Sequence, residues 1–183
     1  SKVFRKSADG GITEEELVTL VDQAESEGGL DQHESKLIRS AIEFGDMQVD
    51  EILTPRVDIV AISDQATAEE LDELISSNRF SRIPVWHENI DTVIGIIHER
   101  DFHEAELEDG DPWLDLVTPV IYVAASARIA DLLHDMQRRK MHMAIVVDEF
   151  GGTEGLVTLE DIVEELVGEI WDEHDEATED FRR

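Results

Sequence analysis

An internal repeat constrains the fold of this chain more than any other feature. Three landmarks of the first copy return in the second: 53–55 in 117–119, 82–85 in 143–146, and 95–101 in 155–161. The offset is 64 residues at the first landmark and 60 at the last, so a small deletion separates the copies. Units this short cannot bury a core alone and should pair face to face. A pseudo-twofold pairing then creates two related clefts.

Both copies show the order β-α-β-β-α. In the first, we predict strands at 57–62, 82–86 and 93–98, a helix capped by Thr67 and Glu70, and a helix opened by Asp101. In the second, we predict strands at 120–125, 143–148 and 154–157, a helix from Ser126, and a closing helix over 158–170. The fold class is therefore α/β, in the mixed α+β sense.

Two helices are predicted before the repeat, within residues 12–44. Thr13 with Glu16 and Asp31 with Glu34 have capping-box spacing, and apolar residues follow each pair at helical intervals. Gly28 and Gly45 are placed to end the two helices. Two short amphipathic helices cannot bury both apolar stripes, so we expect them to pack on the following domain, on a second copy of the chain, or on a segment upstream.

Composition excludes several functional classes. The chain has 45 acidic and 15 basic side chains and a net charge of −30, which argues against nucleic acid or an anionic membrane surface as partner. It has no cysteine, which excludes disulfides, thiolate zinc sites and a cysteine nucleophile. No apolar run approaches the roughly 18 residues that cross a bilayer, so we expect a soluble chain.

The residues of the second copy carry a family resemblance. Gly155, Thr158 and Asp161 form the signature Gly-x-x-Thr-x-x-Asp of a CBS motif, so the tandem pair resembles a Bateman module. The longer strings at 143–152 and 155–170 resemble the CorC/CNNM family of magnesium and cobalt transport proteins, also called hemolysin-like. The segments at 43–46 and 53–56 are similar to the part of that family that leads into the CBS pair.

The resemblance implies an organisation. Residues 1–45 would form a helical connector, 46–109 the first CBS motif, 110–172 the second, and 173–183 an acidic tail. The chain would be the regulatory part of an integral membrane protein, at the cytoplasmic face of the cell membrane, with a transmembrane domain supplied elsewhere. Related CBS modules pair as homodimers and bind adenine nucleotides. The expected ligand is ATP with Mg²⁺, with AMP or ADP left open, and no enzymatic activity is expected.

The resemblance also implies a nucleotide site. A nucleotide needs an apolar slot for the base, a carboxylate for the ribose and donors for the phosphates, and Asp161 and Thr158 fit the last two needs. Arg82 is the best phosphate ligand, because a guanidinium binds two oxygens at once. The full predicted set is Thr54, Pro55, Ser81, Arg82, Ile83, Pro84, His142, Thr158 and Asp161.

A second, weaker cleft is expected at the pseudo-equivalent position. It departs from the signature because a histidine stands where the first cleft has a threonine. The predicted set is His98, Asp101, Thr118, Met143 and Ala144. We therefore expect one good nucleotide site and one weak or empty site.

Other interpretations of these residues remain open. Thr158 with Asp161 is also a capping box, and Pro55 and Pro119 are also placed to break helices before strands. Arg82 on a strand also fits a pair with a surface acid, and His142 also fits an ordinary surface or core histidine. A different function is also open, in which the acidic residues of the last helix and tail bind divalent metal without nucleotide: Glu164, Glu165, Glu169, Asp172, Glu173, Asp175 and Glu176. No metal-binding motif supports it directly. A purely structural dimerisation module is the third possibility.

Overall fold

The computed structural model describes residues 10–108, 110 and 112–167. These residues divide into two compact units. The helical unit comprises residues 10–47, 128–130 and 160–167. The sheet unit comprises the other described residues, from 48 to 127 and from 131 to 159, and contains both predicted repeats up to the end of their last strands.

The helical unit opens with helices α1 (Glu14–Ser26) and α2 (Gln32–Phe44). Both predicted capping boxes are present, because the side chains of Thr13 and Asp31 accept from the N–H groups of Glu16 and Glu34. Each of these glutamates accepts in return from the backbone N–H of its capping residue. Gly45 is the C-cap of α2, as predicted. Local sequence therefore defines both helix starts.

Helices α1 and α2 contact each other, and an ionic cluster joins them. Arg39 donates to Asp22 at 3.0 Å and to Glu25 at 2.6 Å, and Val21 and Phe44 are the buried apolar side chains of the two helices. Large apolar residues of the predicted stripes stay exposed to solvent, at Leu17, Leu20, Leu37 and Ile38, and Ile12 before α1 is exposed as well. The described part of this unit thus leaves apolar surface on both helices.

The sheet unit contains the described strands and two further whole helices, and two other helices are shared between the units. The strands are β1 (Thr54–Pro55), β2 (Ile62–Ser63), β3 (Arg82–Trp86), β4 (Val93–His98), β5 (Ile121–Ala124), β6 (Met143–Val147) and β7 (Thr153–Thr158). The helices are α3 (Ala68–Ser77), α4 (Glu99–Glu104) and α5 (Ile129–Arg139), of which α5 begins in the helical unit. A further helix, α6, is described over residues 159–167. Short 3₁₀ turns occupy Val49–Glu51, Arg56–Asp58 and Trp113–Leu116.

The two repeats exchange their first extended segments. One sheet has the order β1-β7-β6-β5, so β1 of the first repeat pairs with β7 of the second. The other sheet has the order β2-β3-β4, and Thr118 of the second repeat forms an antiparallel bridge with Ile96 on β4. Each sheet is therefore completed by a segment of the opposite repeat. The pseudo-twofold relation predicted from the sequence takes this physical form.

Two equivalent glycines allow the exchanged segments to approach. A Cβ atom on Gly155 would clash with the carbonyl oxygen of Thr54, and a Cβ on Gly95 would clash with the carbonyl oxygen of Thr118. Both obstacles are backbone atoms, which cannot turn away as a flexible side chain could. Glycine is therefore required by close packing at both positions.

Two apolar clusters form the core of the sheet unit. One draws mainly on the first repeat, with Trp113 from the second, and comprises Ile62, Leu71, Ile75, Ile83, Val85, Ile97, Phe102 and Trp113. The other combines both repeats and comprises Val93, Ile96, Val120, Met143, Ile145 and Leu156. Because the second cluster draws on both repeats, neither repeat could bury its own apolar residues alone.

Several predicted boundaries are corrected by the structure. The predicted strand at 57–62 is wrong: residues 56–58 form a 3₁₀ turn and only Ile62–Ser63 pair as a strand. The helix expected to open at Asp101 begins at Glu99, and the one expected from Ser126 begins at Ile129 after a turn. The predicted helix at 158–170 is confirmed over 159–167, and 168–170 lie outside the described residues.

Candidate functional site

The first predicted cleft is built around the end of β7. Thr54 and Pro55 form β1, and they pair with Leu156 and Gly155 two to three residues before β7 ends at Thr158. Pro55 is exposed and Thr54 is partly exposed. The structure thus places these two residues of the predicted nucleotide set beside the strand that carries the start of the CBS signature.

Thr158 lies at the junction between β7 and α6. Its Cα partner across the ladder is Met143, and the next residue, Leu159, donates its N–H to the carbonyl oxygen of His142 at 2.8 Å. Asp161 follows three residues later, in the first turn of α6. The first N–H groups of a helix have no partner within the helix, and they favour an anion.

His142 carries an unsatisfied buried atom. Among the described residues, its Nδ1 has no hydrogen-bond partner, although the residue as a whole is partly exposed. A buried polar atom without a partner costs free energy, so such an atom is rare unless something else binds there. The prediction that His142 supplies a ligand donor is compatible with this arrangement.

The residues of the first set in β3 and directly before it divide into two kinds. Ser81 is exposed and Arg82 is partly exposed, whereas Ile83 retains only 1% of its accessible surface and Pro84 is fully buried. The side chain of Ile83 lies in the apolar cluster of the first repeat. In this arrangement the side chains of Ser81 and Arg82 are accessible to a ligand, whereas Ile83 and Pro84 are buried and contribute only packing.

The ladder register brings Arg82 opposite His98, at the end of β4. Residues directly opposite on neighbouring strands lie on the same face of the sheet. The Arg82 and His98 side chains, which the sequence analysis assigned to different clefts, therefore share a face. The same rule places Met143, assigned to the second cleft, beside Thr158 of the first.

The second predicted set contains a histidine with a defined structural role. His98 is the N-cap of α4, and its Nδ1 accepts the N–H of Arg100 at 3.0 Å. Nδ1 must be unprotonated to accept, so in this arrangement any proton on the ring is at Nε2. Asp101 and Thr118 are exposed, whereas Met143 and Ala144 are buried in the core.

A group of polar residues that the sequence analysis did not assign to a site joins the two repeats. Arg56 donates to the carboxylate of Asp91, and Asp91 also accepts the backbone N–H of Thr153 at 2.9 Å. The Arg56 guanidinium and the Thr153 N–H hold the pKa of Asp91 below its ordinary value. The only sequence signals for this group were the position of Asp91 near a predicted turn and that of Arg56 directly after Pro55.

The predicted metal alternative is only partly covered by the structure. Within residues 10–108, 110 and 112–167, no group of three or more histidine or acidic residues is placed to hold a metal ion. Glu164 and Glu165 fall in this part of the chain, but Glu169, Asp172, Glu173, Asp175 and Glu176 lie outside it. No helix in the described ranges is both long and apolar enough to span a bilayer.

Comparison with known proteins decides the family. The sequence profile of the CBS domain matches residues 49–108 and 115–168. The CBS domain of a bacterial CNNM/CorC family Mg²⁺ transporter is 43% identical, covers 86% of this chain and 98% of its own, and superposes with a TM-score of 0.81. The chain is a CBS-domain pair of the CNNM/CorC family.

Two further relatives of the CBS pair show its context. A bacterial CNNM/CorC CBS domain solved in complex with ATP is 44% identical, covers 74% of this chain and 97% of its own, and has a TM-score of 0.70. The UPF0053 protein YrkA of Bacillus subtilis is 39% identical over 169 residues, which are 89% of this chain and 39% of YrkA. The CBS pair thus spans about two-fifths of that curated relative.

Proposed function

We propose that this CBS pair is the cytosolic regulatory module of a CNNM/CorC-like transport protein for divalent cations such as Mg²⁺ or Co²⁺, and that it binds ATP with Mg²⁺. The single observation that carries the proposal is the intact Gly155-Thr158-Asp161 signature at the end of the strand that pairs with Thr54 and Pro55. The ATP complex of a 44% identical CBS domain supports the same ligand class.

Each residue of the proposed site has a chemical task. The Asp161 carboxylate accepts hydrogen bonds from the two ribose hydroxyls, each worth about 1.5–3 kcal/mol as a bond to a charged group. The Thr158 hydroxyl and the N–H groups at the start of α6 bind phosphate oxygens, and Arg82 supplies a bidentate cation. Thr54 and Pro55 edge the adenine, while Ser81 and His142 add polar contacts.

The second cleft is proposed to bind nucleotide weakly or not at all. Its signature position is occupied by His98, whose Nδ1 is engaged by the N–H of Arg100. A threonine hydroxyl is small and both donates and accepts, whereas this imidazole is bulkier and has one nitrogen already engaged. Asp101 can still accept ribose hydroxyls there, so the weakness is assigned to the phosphate end of the cleft.

Electrostatics makes magnesium part of the proposed ligand. ATP brings about four negative charges toward a chain of net charge −30. Mg²⁺ bound to the phosphates offsets part of this repulsion, and salt screens another part. We therefore expect the affinity for ATP to fall when Mg²⁺ is removed.

Regulation is proposed to act by population shift. A ligand changes a conformational equilibrium only by its differential affinity for the two states. ATP bound against both repeats would favour one arrangement of the module or of its homodimer, and the transmembrane domain of the parent protein would respond to that arrangement. Residues 1–45 are the proposed connector to that domain, followed by CBS motifs at 46–109 and 110–172 and a tail at 173–183.

Calorimetry tests the proposal directly. ATP titrated into the wild-type chain with Mg²⁺ should bind near one site per chain, more weakly without Mg²⁺, and Asp161→Ala should abolish the binding. Asp101→Ala is the matched control, because it removes the same group from the second cleft and should leave the main binding event in place. If neither ATP, ADP nor AMP binds to the wild-type chain, the module is a scaffold and the proposal fails.

A further inference from the structure

The group that joins the two repeats lies at the opposite end of β7 from Thr158. Arg56 donates to both carboxylate oxygens of Asp91 and, at 3.3 Å, to the carbonyl oxygen of Thr153. Asp91 accepts the N–H of Thr153, and the Thr153 hydroxyl donates to the carbonyl oxygen of Ile90 at 2.8 Å. Three chain segments therefore converge on one carboxylate: the turn after β1, the β3–β4 turn and the start of β7.

This cluster follows directly on the segment that is proposed to edge the adenine. Arg56 is the residue after Pro55, and β1 consists of Thr54 and Pro55 alone. A strand of two residues forms few backbone hydrogen bonds with its neighbour. One of its two partners, Gly155, has no side chain that could hold it in place. The Arg56–Asp91 pair adds an anchor one residue beyond the end of the strand.

We propose that Asp91 is a positioning residue for nucleotide binding, which holds Thr54 and Pro55 against β7 through Arg56 without itself contacting the ligand. The inference rests on the proposed nucleotide site and names a determinant of its base-binding wall. It goes beyond the CBS signature, because Asp91 belongs to the first repeat and the signature strand to the second.

The charge of Asp91 makes its role distinguishable from a long-range effect. Removing any carboxylate from a chain of net charge −30 weakens the repulsion of ATP and so favours binding. Loss of the anchor acts in the other direction, because β1 is then free to move away from the base. A neutral variant of Asp91 that weakens ATP binding therefore reports positioning.

The site of the anchor also predicts which part of the ligand is affected. Thr54 and Pro55 are proposed to contact the base, whereas Thr158 and the start of α6 contact the phosphates. Displacing β1 should weaken the binding of adenosine and the binding of ATP by the same factor. A general loss of the fold would also lower the unfolding temperature and the fraction of chains that can bind ligand. Both quantities are therefore measured together with the Kd.

The experiment compares Asp91→Asn with Asp135→Asn by calorimetry of Mg²⁺-ATP and of adenosine. Asp135 accepts from Arg138 at 2.5 Å on α5, so its variant removes one carboxylate from an arginine pair that no proposed site includes. We expect Asp91→Asn to raise the Kd of both ligands about fivefold, the upper range for an exposed ion pair. Asp135→Asn should leave the Kd unchanged or slightly lower.

Arg56→Lys is the second variant, because it keeps the charge but loses the bidentate geometry. Arg56→Lys should raise the Kd by a smaller factor than Asp91→Asn does, and this factor should be the same for ATP and for adenosine. Tighter ATP binding by Asp91→Asn, or a loss confined to ATP with adenosine unchanged, overturns the positioning role. A wild-type chain that binds no nucleotide overturns the proposed function instead, and the two failures are thus told apart.

Discussion

The exchanged segments of the two repeats follow the same backbone path but are held at their ends by different chemistry. Both cross onto the opposite repeat over a glycine, Gly155 for Thr54 and Gly95 for Thr118. Beyond the crossing, the first segment continues into Arg56, which pairs with the exposed carboxylate of Asp91. The second continues through Pro119 into Val120, which is buried in the shared apolar cluster.

The difference shows which part of a duplicated fold is free to change. The close approach of two backbones leaves no room for a Cβ, so glycine stands at that position in both copies. The residue that anchors the segment has no such limit, and an ion pair serves in one copy where an apolar contact serves in the other. Because an exposed ion pair holds a segment less firmly than a buried valine, the first segment is the more adjustable of the two.

The largest predicted effect concerns the feature that both exchanged segments share, which is the close backbone contact over a glycine. Gly155→Ala and Gly95→Ala should each lower the free energy of unfolding by about 3 kcal/mol, because each Cβ would overlap a backbone carbonyl of the exchanged segment. Urea unfolding monitored by circular dichroism measures the loss. Gly29→Ala is the control, since its Cβ would meet only an ordinary contact at 3.5 Å from the Ala24 oxygen.

Equal losses at Gly155 and Gly95 would support equivalent crossings in the two repeats. A loss at only one of them would contradict the equivalence. Gly29→Ala should stay within about 0.5 kcal/mol of the wild-type stability, as surface substitutions generally do.

The second prediction sharpens the contrast between the clefts. His98→Thr restores the full Gly-x-x-Thr-x-x-Asp signature in the first repeat, with Gly95 and Asp101. Threonine is also a good N-cap, so α4 should keep its start and the stability should change little. Calorimetry with Mg²⁺-ATP should then show a second binding event, with a stoichiometry that rises from about one toward two.

His98→Ala is the control for this experiment, because it removes the imidazole without supplying a hydroxyl. It should leave the stoichiometry at the wild-type value. If His98→Ala opens the second cleft as well as His98→Thr does, bulk and not the missing hydroxyl is the cause of its weakness.

The smallest predicted effect is a pH dependence confined to the first repeat. His87 donates from Nδ1 to Asp64 at 2.7 Å, and this hydrogen bond raises the pKa of His87 above its ordinary 6.5 while it lowers the pKa of the Asp64 carboxyl. A raised histidine pKa stabilises the fold at pH values below 6.5, and the contribution fades as the pH rises through the raised value.

The measurement compares urea midpoints of the wild-type chain and His87→Gln between pH 5.5 and 8.5. The wild-type advantage should be present at the acidic end and should shrink toward the alkaline end. The corresponding positions of the second repeat are Ala125 and Asp148, neither of which is a histidine, so the pH dependence is expected from the first repeat alone. A wild-type advantage that grows with pH would contradict the assignment.

Local features of the fold could be predicted from sequence, because their signals are local. The capping boxes at Thr13, Asp31 and Thr67 fix three helix starts, and the strands Arg82–Trp86 and Val93–His98 have the predicted bounds. The prediction at 57–62 is wrong because its run of β-branched residues favours a strand, whereas residues 56–58 form a 3₁₀ turn from which Arg56 contacts Asp91 and Thr153. Strand propensity is a local property and carries no information about the tertiary contacts of this turn.

The exchange of segments could not be predicted in the same way. The pairing of Thr54 with Leu156 joins residues more than a hundred positions apart, and two-residue strands give no periodic pattern. For the candidate site, sequence identified the signature residues but not the burial of Ile83 and Pro84, nor the anchor formed by Arg56 and Asp91. These depend on which strands are neighbours, and that is decided by the packing of both repeats together.

The exchange of first segments means that neither repeat is a complete piece of protein. A fragment holding one repeat alone would leave an edge of its sheet unfilled and would present its own segment with nothing to pair with. A proteolytic cut in the stretch that joins the repeats should therefore give two pieces that remain bound to each other. Because each repeat completes the sheet of the other, the loss of either copy would leave the remaining copy without part of its sheet.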